Sequence, residues 1–144
     1  MLSESSKSLE NAIAYAEKII SQAIALRDQN SGNKNRSILK TAVDFIDSHY
    51  MEEDMSLNKA ANAANVSANH FSALFSQNMG QTFIEYLTNL RMNKAKEYLR
   101  CTSMRSSEIA GEIGYKDAHY FSYLFKKTQG MTPSDYRKAR EDKA

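Results

Sequence analysis

Two stretches of the sequence, SANHFSALFSQNMGQTFIEY at residues 67–86 and DAHYFSYLFKKTQGMTPSDY at residues 117–136, decide the fold. They are two copies of one pattern, because identical residues recur at a constant offset of fifty positions. The residues of the first copy that recur in the second are Phe71, Ser72, Leu74, Phe75, Gly80, Thr82 and Tyr86. A repeat of this quality in a short chain predicts two copies of one supersecondary unit.

Each copy predicts a helix with one buried face. Ser67 and Asp117 are good N-caps, because their side-chain oxygens can accept hydrogen bonds from the free N–H groups of the first helical turn. Apolar residues then recur at helical spacing and form a buried stripe. The residues of this stripe are Phe71, Leu74 and Phe75 in the first copy, and Phe121, Leu124 and Phe125 in the second.

Each of these helices has a stop signal, which is followed by the start signal of another helix. Gly80 and Gly130 supply the left-handed residue that closes a helix. A threonine stands two residues later, where it can cap the next helix. The start signals are Thr82 with Glu85, which form a capping box, and Thr132 with Pro133, which occupies the first helical position.

A short helix is predicted immediately before each copy. Residues 56–66 and 106–115 share one pattern at an offset of 49, and Lys116 is the extra residue in the second turn. Asn65 and Gly114 stand at matching positions, and both residue types tolerate a left-handed turn. Helix, short turn and helix form the helix-turn-helix unit, in which the second helix is the one that reads DNA.

The helix face opposite the Phe/Leu stripe carries the candidate binding residues. In the first copy these are Asn69, His70, Ser72, Ala73 and Ser76, and in the second they are Ala118, His119, Tyr120, Ser122, Tyr123, Lys126 and Lys127. Side chains of these types can touch base edges and phosphates in a major groove. An ordinary solvated helix face has a similar composition, and the short helices that precede both copies favour the DNA-binding interpretation.

The paired motifs resemble the DNA-binding domain of the AraC/XylS family of bacterial transcription regulators. The resemblance covers about residues 36–140. It rests on IAGEIGY at residues 109–115, AHYFSYLFKK at 118–127, GMTPSDYR at 130–137 and RMNKAKEYL at 91–99. It implies an all-α fold of two helix-turn-helix subdomains joined by a long central helix. It also implies double-stranded DNA as a partner, and RNA polymerase as a second partner if the protein acts as an activator.

The resemblance also assigns roles to individual positions. Its base-reading positions are Asn69, Ser72 and Ala73 in the first copy, and Ala118, His119, Tyr120 and Tyr123 in the second. The family commonly has arginine or lysine where Ala73 and Tyr123 stand, and neither recognition helix contains an arginine. The usual bidentate contact from arginine to guanine is therefore absent. The possibility that the first unit reads DNA mainly by shape stays open. The family pattern gives Arg91 a structural role, bracing the first unit.

The chain divides into four predicted parts. These are a linker or coiled-coil helix at residues 1–33, a first helix-turn-helix subdomain at 34–81, a connecting helix at 82–101 and a second subdomain at 102–144. About twenty residues at a rise of 1.5 Å make the connecting helix roughly 30 Å long. Because B-DNA repeats every ~34 Å, this helix would place the two recognition helices in successive major grooves.

The N-terminal part has an apolar seam on a helix predicted to end near residues 30–33. The seam residues are Leu9, Ile13, Ala16, Ile20 and Ala23. Two interpretations stay open. Either the helix packs on the following domain, or it is a connector that pairs two subunits as a homodimer or relays a signal from an upstream domain.

Charge is shared unevenly along the chain. Residues 34–90 contain four basic and six acidic residues, a net of −2, whereas residues 91–140 contain eleven basic and five acidic residues, a net of +6. Phosphate attraction is therefore expected mostly from the second half, with Lys126 and Lys127 as the best phosphate contacts. The net charge of the whole chain is only +2, which argues against a histone-like role in packaging DNA.

Other functional classes receive little support. The three histidines share no metal-ligand spacing, no cofactor motif is present, and Cys101 is expected to be a packed small hydrophobe. Without a membrane-spanning run or signal peptide the chain is expected in the cytoplasm. A non-enzymatic DNA-binding regulator is the prediction. The alternative is a helical protein–protein adaptor, which would lack strongly salt-dependent DNA binding.

Overall fold

The computed structural model describes the backbone of residues 9–143 and the side chains of residues 13–19 and 32–141. Within these residues the secondary structure is helical, without a strand. The helices are α1 (Leu9–His49), α2 (Leu57–Ala63), α3 (Ala68–Met79), α4 (Phe83–Cys101), α5 (Ser106–Glu112), α6 (Ala118–Gln129) and α7 (Pro133–Lys143). This confirms the all-α fold, in which the helix-turn-helix pairs α2–α3 and α5–α6 flank the central helix α4.

The predicted caps of the two recognition helices are present. Ser67 Oγ accepts a hydrogen bond from the backbone N–H of His70 at 3.1 Å, and Asp117 Oδ1 accepts one from His119 at 2.9 Å. At the other end, Gly80 and Gly130 have φ angles of 70° and 85° and close α3 and α6 in the left-handed conformation. Local signals therefore fix both ends of both helices.

The helices that follow also begin as predicted. Thr82 Oγ1 accepts from the N–H of Glu85 at 3.1 Å, and Glu85 Oε1 accepts from the N–H of Thr82 at 2.9 Å, which completes the capping box of α4. Thr132 Oγ1 accepts from the N–H of Asp135 at 3.0 Å, and α7 begins at Pro133.

The turns inside the two units have the same hydrogen bond. The N–H of Val66 donates to the carbonyl of Ala61 at 3.1 Å, and the N–H of Tyr115 donates to Ala110 at 2.8 Å. The residue before each donor is left-handed, with φ of 60° at Asn65 and 104° at Gly114. The predicted repeat at an offset of 49 is therefore a repeat of backbone conformation.

The phenylalanine stripes occupy matching positions in one continuous core. Phe71, Phe75, Phe121 and Phe125 are fully buried. Each unit adds a tyrosine from the following helix that packs edge-on. The ring centres of Phe75 and Tyr86 are 5.6 Å apart, and those of Phe125 and Tyr136 are 5.8 Å apart.

Helix α1 corrects one prediction. The break expected near residues 30–33 is wrong, because α1 runs without interruption from Leu9 to His49. Glycine and asparagine lower helix propensity by up to about 1 kcal/mol per residue, but they keep the backbone N–H that the helix needs. Proline would remove this donor, and the one proline of the chain is Pro133. The predicted boundary between residues 33 and 34 falls inside α1, and the division into four parts stays a prediction.

The predicted seam of α1 is only partly described. Ile13 and Ala16 are exposed, so in this part of the helix the seam does not pack on the helix-turn-helix units. Leu9, Ile20 and Ala23 lie outside the described side chains. None of the helices in the described part of the chain combines the length and apolar character needed to cross a bilayer.

Helix α4 contributes to both units. Its side chains Phe83, Leu87, Ala95 and Leu99 are buried, and those of Leu90 and Tyr98 are half-buried. Cys101 is exposed, so the prediction that it packs inside is wrong. The reason is its position, because α4 ends at this residue, beyond Leu99.

Arg91 is buried on α4, with 6% of its surface exposed. Its Nε–H donates to the carbonyl of Tyr50 at 2.8 Å, and Nη2 donates to the carbonyl of Glu52 at 2.8 Å. Both carbonyls follow the C-terminal end of α1, where the helix dipole favours a cation. These bonds confirm the predicted role of Arg91 in bracing the first unit.

Candidate nucleic-acid interface

Helix α3 presents its candidate residues on the side away from the core. Asn69, His70 and Ala73 are exposed, and Ser72 and Ser76 are half-buried. The opposite side carries the buried stripe residues Phe71, Leu74 and Phe75. Ser67 makes the cap hydrogen bond, so the Asn69 amide is not needed for that purpose.

Helix α6 has the same arrangement with larger side chains. The exposed residues are His119, Tyr120, Tyr123, Lys126 and Lys127, and the half-buried ones are Ala118 and Ser122. Tyr120 and Tyr123 are large aromatic residues that are nevertheless exposed, with exposed fractions of 50% and 60%. Half-buried serines, Ser72 and Ser122, occupy matching positions on the two faces.

Aromatic side chains line one side of α6. The ring centres of Tyr115 and Tyr120 are 5.9 Å apart, and those of Tyr120 and Tyr123 are 6.5 Å apart. Lys127 Nζ lies 5.9 Å from the centre of the Tyr123 ring. Tyr120 therefore packs against the buried ring of Tyr115 and keeps half of its surface exposed. Tyr115 lies in the IAGEIGY motif, but the motif does not predict its contact with Tyr120.

Electrostatics distinguish the two units. In the first unit Lys59 Nζ lies 2.6 Å from Asp54 Oδ2 and 3.8 Å from Glu52 Oε1. The hydrogen bond from Lys59 lowers the pKa of the Asp54 carboxyl, and the same bond raises the pKa of Lys59. The acidic run at residues 52–54 thus neutralises a lysine of its own unit. Of the two recognition helices only α6 carries lysines, Lys126 and Lys127, and both are exposed.

The described residues bring together no group of three or more histidine, cysteine, aspartate or glutamate side chains with metal-binding geometry. His70 and His119 lie on different helices. What the two exposed faces offer chemically is an amide, imidazoles, hydroxyls, phenols and ammonium groups. These are hydrogen-bonding groups suited to base edges and phosphates.

Comparisons with known proteins agree with this architecture. Residues 60–139 match the family described as helix-turn-helix domain. The lactose operon transcription activator of Staphylococcus xylosus is 36% identical over 99 residues, which are 69% of this chain and 35% of that protein. The chain spans well under half the length of the curated relatives it matches.

Two solved structures are similar in fold and sequence. The C-terminal domain of AraT, a response regulator from Geobacillus stearothermophilus, has a TM-score of 0.70 at 40% identity, covering 72% of this chain and 85% of that one. A transcriptional regulator from Chromobacterium violaceum, of the AraC-type DNA-binding domain-containing proteins, has a TM-score of 0.65 at 27% identity, covering 72% and 91%. The chain therefore belongs to the helix-turn-helix domain family, and its domain is of the AraC type.

Proposed function

We propose that this chain is the DNA-binding part of a bacterial transcription regulator and that α3 and α6 lie in successive major grooves on one face of a duplex. The observation that carries the proposal is the repeat itself. Two capped helices, Ala68–Met79 and Ala118–Gln129, each turn a fully buried phenylalanine pair inward and an exposed polar face outward.

The spacing between the two helices is set by α4. Its 19 residues correspond to about 29 Å at a rise of 1.5 Å per residue. This length is close to the ~34 Å repeat of B-DNA, so recognition helices at its two sides can reach neighbouring major grooves.

Base reading is assigned to the exposed faces. Asn69 pairs with adenine through N6 and N7, and Ser72 serves as a short donor or acceptor. Tyr123 donates from its hydroxyl and covers thymine methyl groups with its ring. The remaining members of the interface are His70, Ala73, Ser76, Ala118, His119, Tyr120, Ser122, Lys126 and Lys127.

Phosphate attraction comes from the second unit. Lys126 and Lys127 are exposed in the last turn of α6. In the first unit Lys40 and Lys59 each lie within 4 Å of a carboxylate, at 3.3 Å and 2.6 Å. The first recognition helix therefore depends more on base contacts or on DNA shape than the second recognition helix does.

Further partners follow from the same proposal. RNA polymerase is the second partner of an activator, and subunits pair as a homodimer through α1. The pairing is supported by exposed apolar side chains on α1, with Ile13 38% and Ile19 44% exposed. The likeness to the C-terminal domain of a response regulator supports a sensing domain upstream. The site of action is the cytoplasm, and no catalytic step is involved.

The proposal is tested by selecting bound duplexes from a random pool and measuring the affinity of the enriched duplex at several salt concentrations. The expected slope of log K against log salt is about −0.9 for each phosphate neutralised. A protein–protein adaptor that keeps the fold would enrich no sequence and would show no such slope. That result would reject the DNA-binding function for this chain.

A further inference from the structure

The side chain of Arg91 contacts the second helix-turn-helix unit as well as the first. Its Cζ lies 4.8 Å from the centre of the Tyr115 ring. A guanidinium above an aromatic ring is attracted by the ring quadrupole. Because Arg91 and Tyr115 are both buried, water competes little with this contact.

The turn of the second unit lies directly against the same guanidinium. A Cβ atom at Gly114 would lie 2.7 Å from Arg91 Nη2 and 2.9 Å from the carbonyl oxygen of Tyr50. The equivalent turn of the first unit has Asn65 in the left-handed conformation, so this type of turn accepts a side chain. At Gly114 the lack of a side chain allows the close approach to Arg91 and to the end of α1.

Tyr115 connects this contact to the second recognition helix. Its ring centre lies 5.9 Å from that of Tyr120 and 6.0 Å from that of Phe121, and both of these residues lie in the first turn of α6. Arg91 is thus separated from α6 by one side chain. Its Nε and Nη2 are held by the end of α1 through Tyr50 and Glu52.

Extensive helix packing forms two groups that share α4. Helices α1, α2 and α3 pack on one another, with α3 also on α4, whereas α5 and α7 pack on both α6 and α4. The guanidinium of Arg91 joins these groups at a second place, between the end of α1 and the turn before α6.

We propose that Arg91 is a positioning residue that fixes the rotation of α6 relative to α3 and thereby makes the chain select one spacing between the two blocks of its DNA site. The inference rests on the proposed function, because spacing matters only if both helices read DNA. One inserted base pair moves the second block by about 3.4 Å and rotates it by about 35°. A rigid pair of recognition helices cannot follow this change.

The test compares the variant Arg91→Lys with the same substitution at a second arginine, Arg137→Lys. Lysine keeps the charge but loses the planar fork that reaches two carbonyls at once. Arg137 provides the control, because its Nε donates to Leu99 at 3.0 Å and its Nη2 to Thr102 at 2.9 Å, at the C-terminal end of α4. These bonds join α7 to α4 only, so Arg137→Lys weakens similar chemistry away from the joint.

The first readout is binding to duplexes in which the two selected blocks are moved apart or together by one base pair. The parent and Arg137→Lys should prefer the selected spacing by about tenfold, whereas Arg91→Lys should prefer it by about threefold or less. Base preferences within each block should not change. An unchanged spacing preference in Arg91→Lys, or an equal loss in Arg137→Lys, would overturn the proposal.

A second pair of variants tests the ring and keeps the proposal falsifiable if Arg91→Lys does not fold. Tyr115→Phe keeps the aromatic face beneath Arg91, and Tyr115→Leu removes it. The phenylalanine variant should retain the parent's spacing preference, and the leucine variant should relax it. Equal preferences in the two variants would contradict a role for the Arg91–Tyr115 contact.

The third readout needs no DNA. Spin labels at Gln77→Cys on α3 and Lys127→Cys on α6, in a Cys101→Ser background, report the distribution of distances between the recognition helices. Arg91→Lys should broaden this distribution, and Arg137→Lys should leave it narrow. A narrow distribution in Arg91→Lys refutes the positioning role. If the parent binds no duplex, the proposed function fails, and the positioning role of Arg91 is decided by this measurement.

Discussion

The hydroxyl of Tyr86 donates a 2.6 Å hydrogen bond to Oδ1 of Asp47, which joins α4 to the end of α1. The repeat partner of this tyrosine, Tyr136, instead accepts a bond from Nη1 of Arg100 at 3.2 Å. Both rings pack edge-on against a buried phenylalanine. The two copies therefore share their core packing and differ in how the phenol oxygen is used.

Removing the Tyr86 hydroxyl should destabilise the fold. Tyr86→Phe leaves the ring against Phe75 but loses the bond to the Asp47 carboxylate, and we expect a loss of about 1–2 kcal/mol in the free energy of unfolding. Urea denaturation measures this change. Tyr136→Phe is the control and should cost less, because the bond of Tyr136 is longer, at 3.2 Å against 2.6 Å for that of Tyr86. Equal stability of Tyr86→Phe and the parent would show that the Asp47 bond contributes nothing.

Alkaline pH should weaken the fold through the same residue. Burial, and then the hydrogen bond to Asp47, raise the pKa of Tyr86 above its ordinary value of 10.0. Because the folded pKa is the higher one, the stabilisation is complete below pH about 10 and is lost as the pH rises above that value. Urea denaturation between pH 8 and about 11 should show falling stability, with a shallower fall in Tyr86→Phe. Identical slopes would contradict this assignment.

Substitutions at the N-caps of the recognition helices should lower stability, whereas substitutions at the base-reading residues should not. Ser67→Ala and Asp117→Ala each remove a cap acceptor and should cost about 1 kcal/mol in the free energy of unfolding. Asn69→Ala is the matched control on α3, with an expected change within about 0.5 kcal/mol because the residue is exposed and Ser67 makes the cap. A loss in Asn69→Ala as large as in Ser67→Ala would place Asn69 in the cap.

The lysines at the end of α6 should determine the salt dependence of DNA binding. Lys126→Gln and Lys127→Gln should each reduce the magnitude of the salt slope by about 1 and weaken binding to all sequences alike. Lys40→Gln is the control, because Lys40 Nζ lies 3.3 Å from Asp44 in the first unit. Its slope should equal that of the parent. Unchanged slopes in both α6 variants would show that the phosphate contacts are made by other residues.

Much of the fold was predictable because its signals are local. Caps at Ser67 and Asp117 act within three residues, and the glycines that close α3 and α6 act on their own backbone. The joint around Arg91 was not fully predictable, because Tyr50 and Tyr115 come from distant parts of the chain. The continuity of α1 could not be predicted, because a weak helix former such as Gly32 is also a common helix stop signal.

The candidate interface was predictable in outline for the same reason. Helical periodicity places Asn69 and Tyr123 opposite the phenylalanine stripe, and the structure has both residues exposed. The contacts of Tyr115 with Tyr120 and Arg91 depend on how the turn packs on α4, which periodicity does not describe. Which bases the two faces read stays a prediction.

The most direct test of the proposed DNA reading repeats the selection from random duplexes with Asn69→Ala and Tyr123→Ala beside the parent. The parent should enrich two short blocks about one helical turn apart, roughly 10 base pairs. Asn69→Ala should relax one block and Tyr123→Ala the other, because the two residues lie on different recognition helices. Loss of the same block in both variants, or no enriched sequence with the parent at low salt, would contradict reading by two helices.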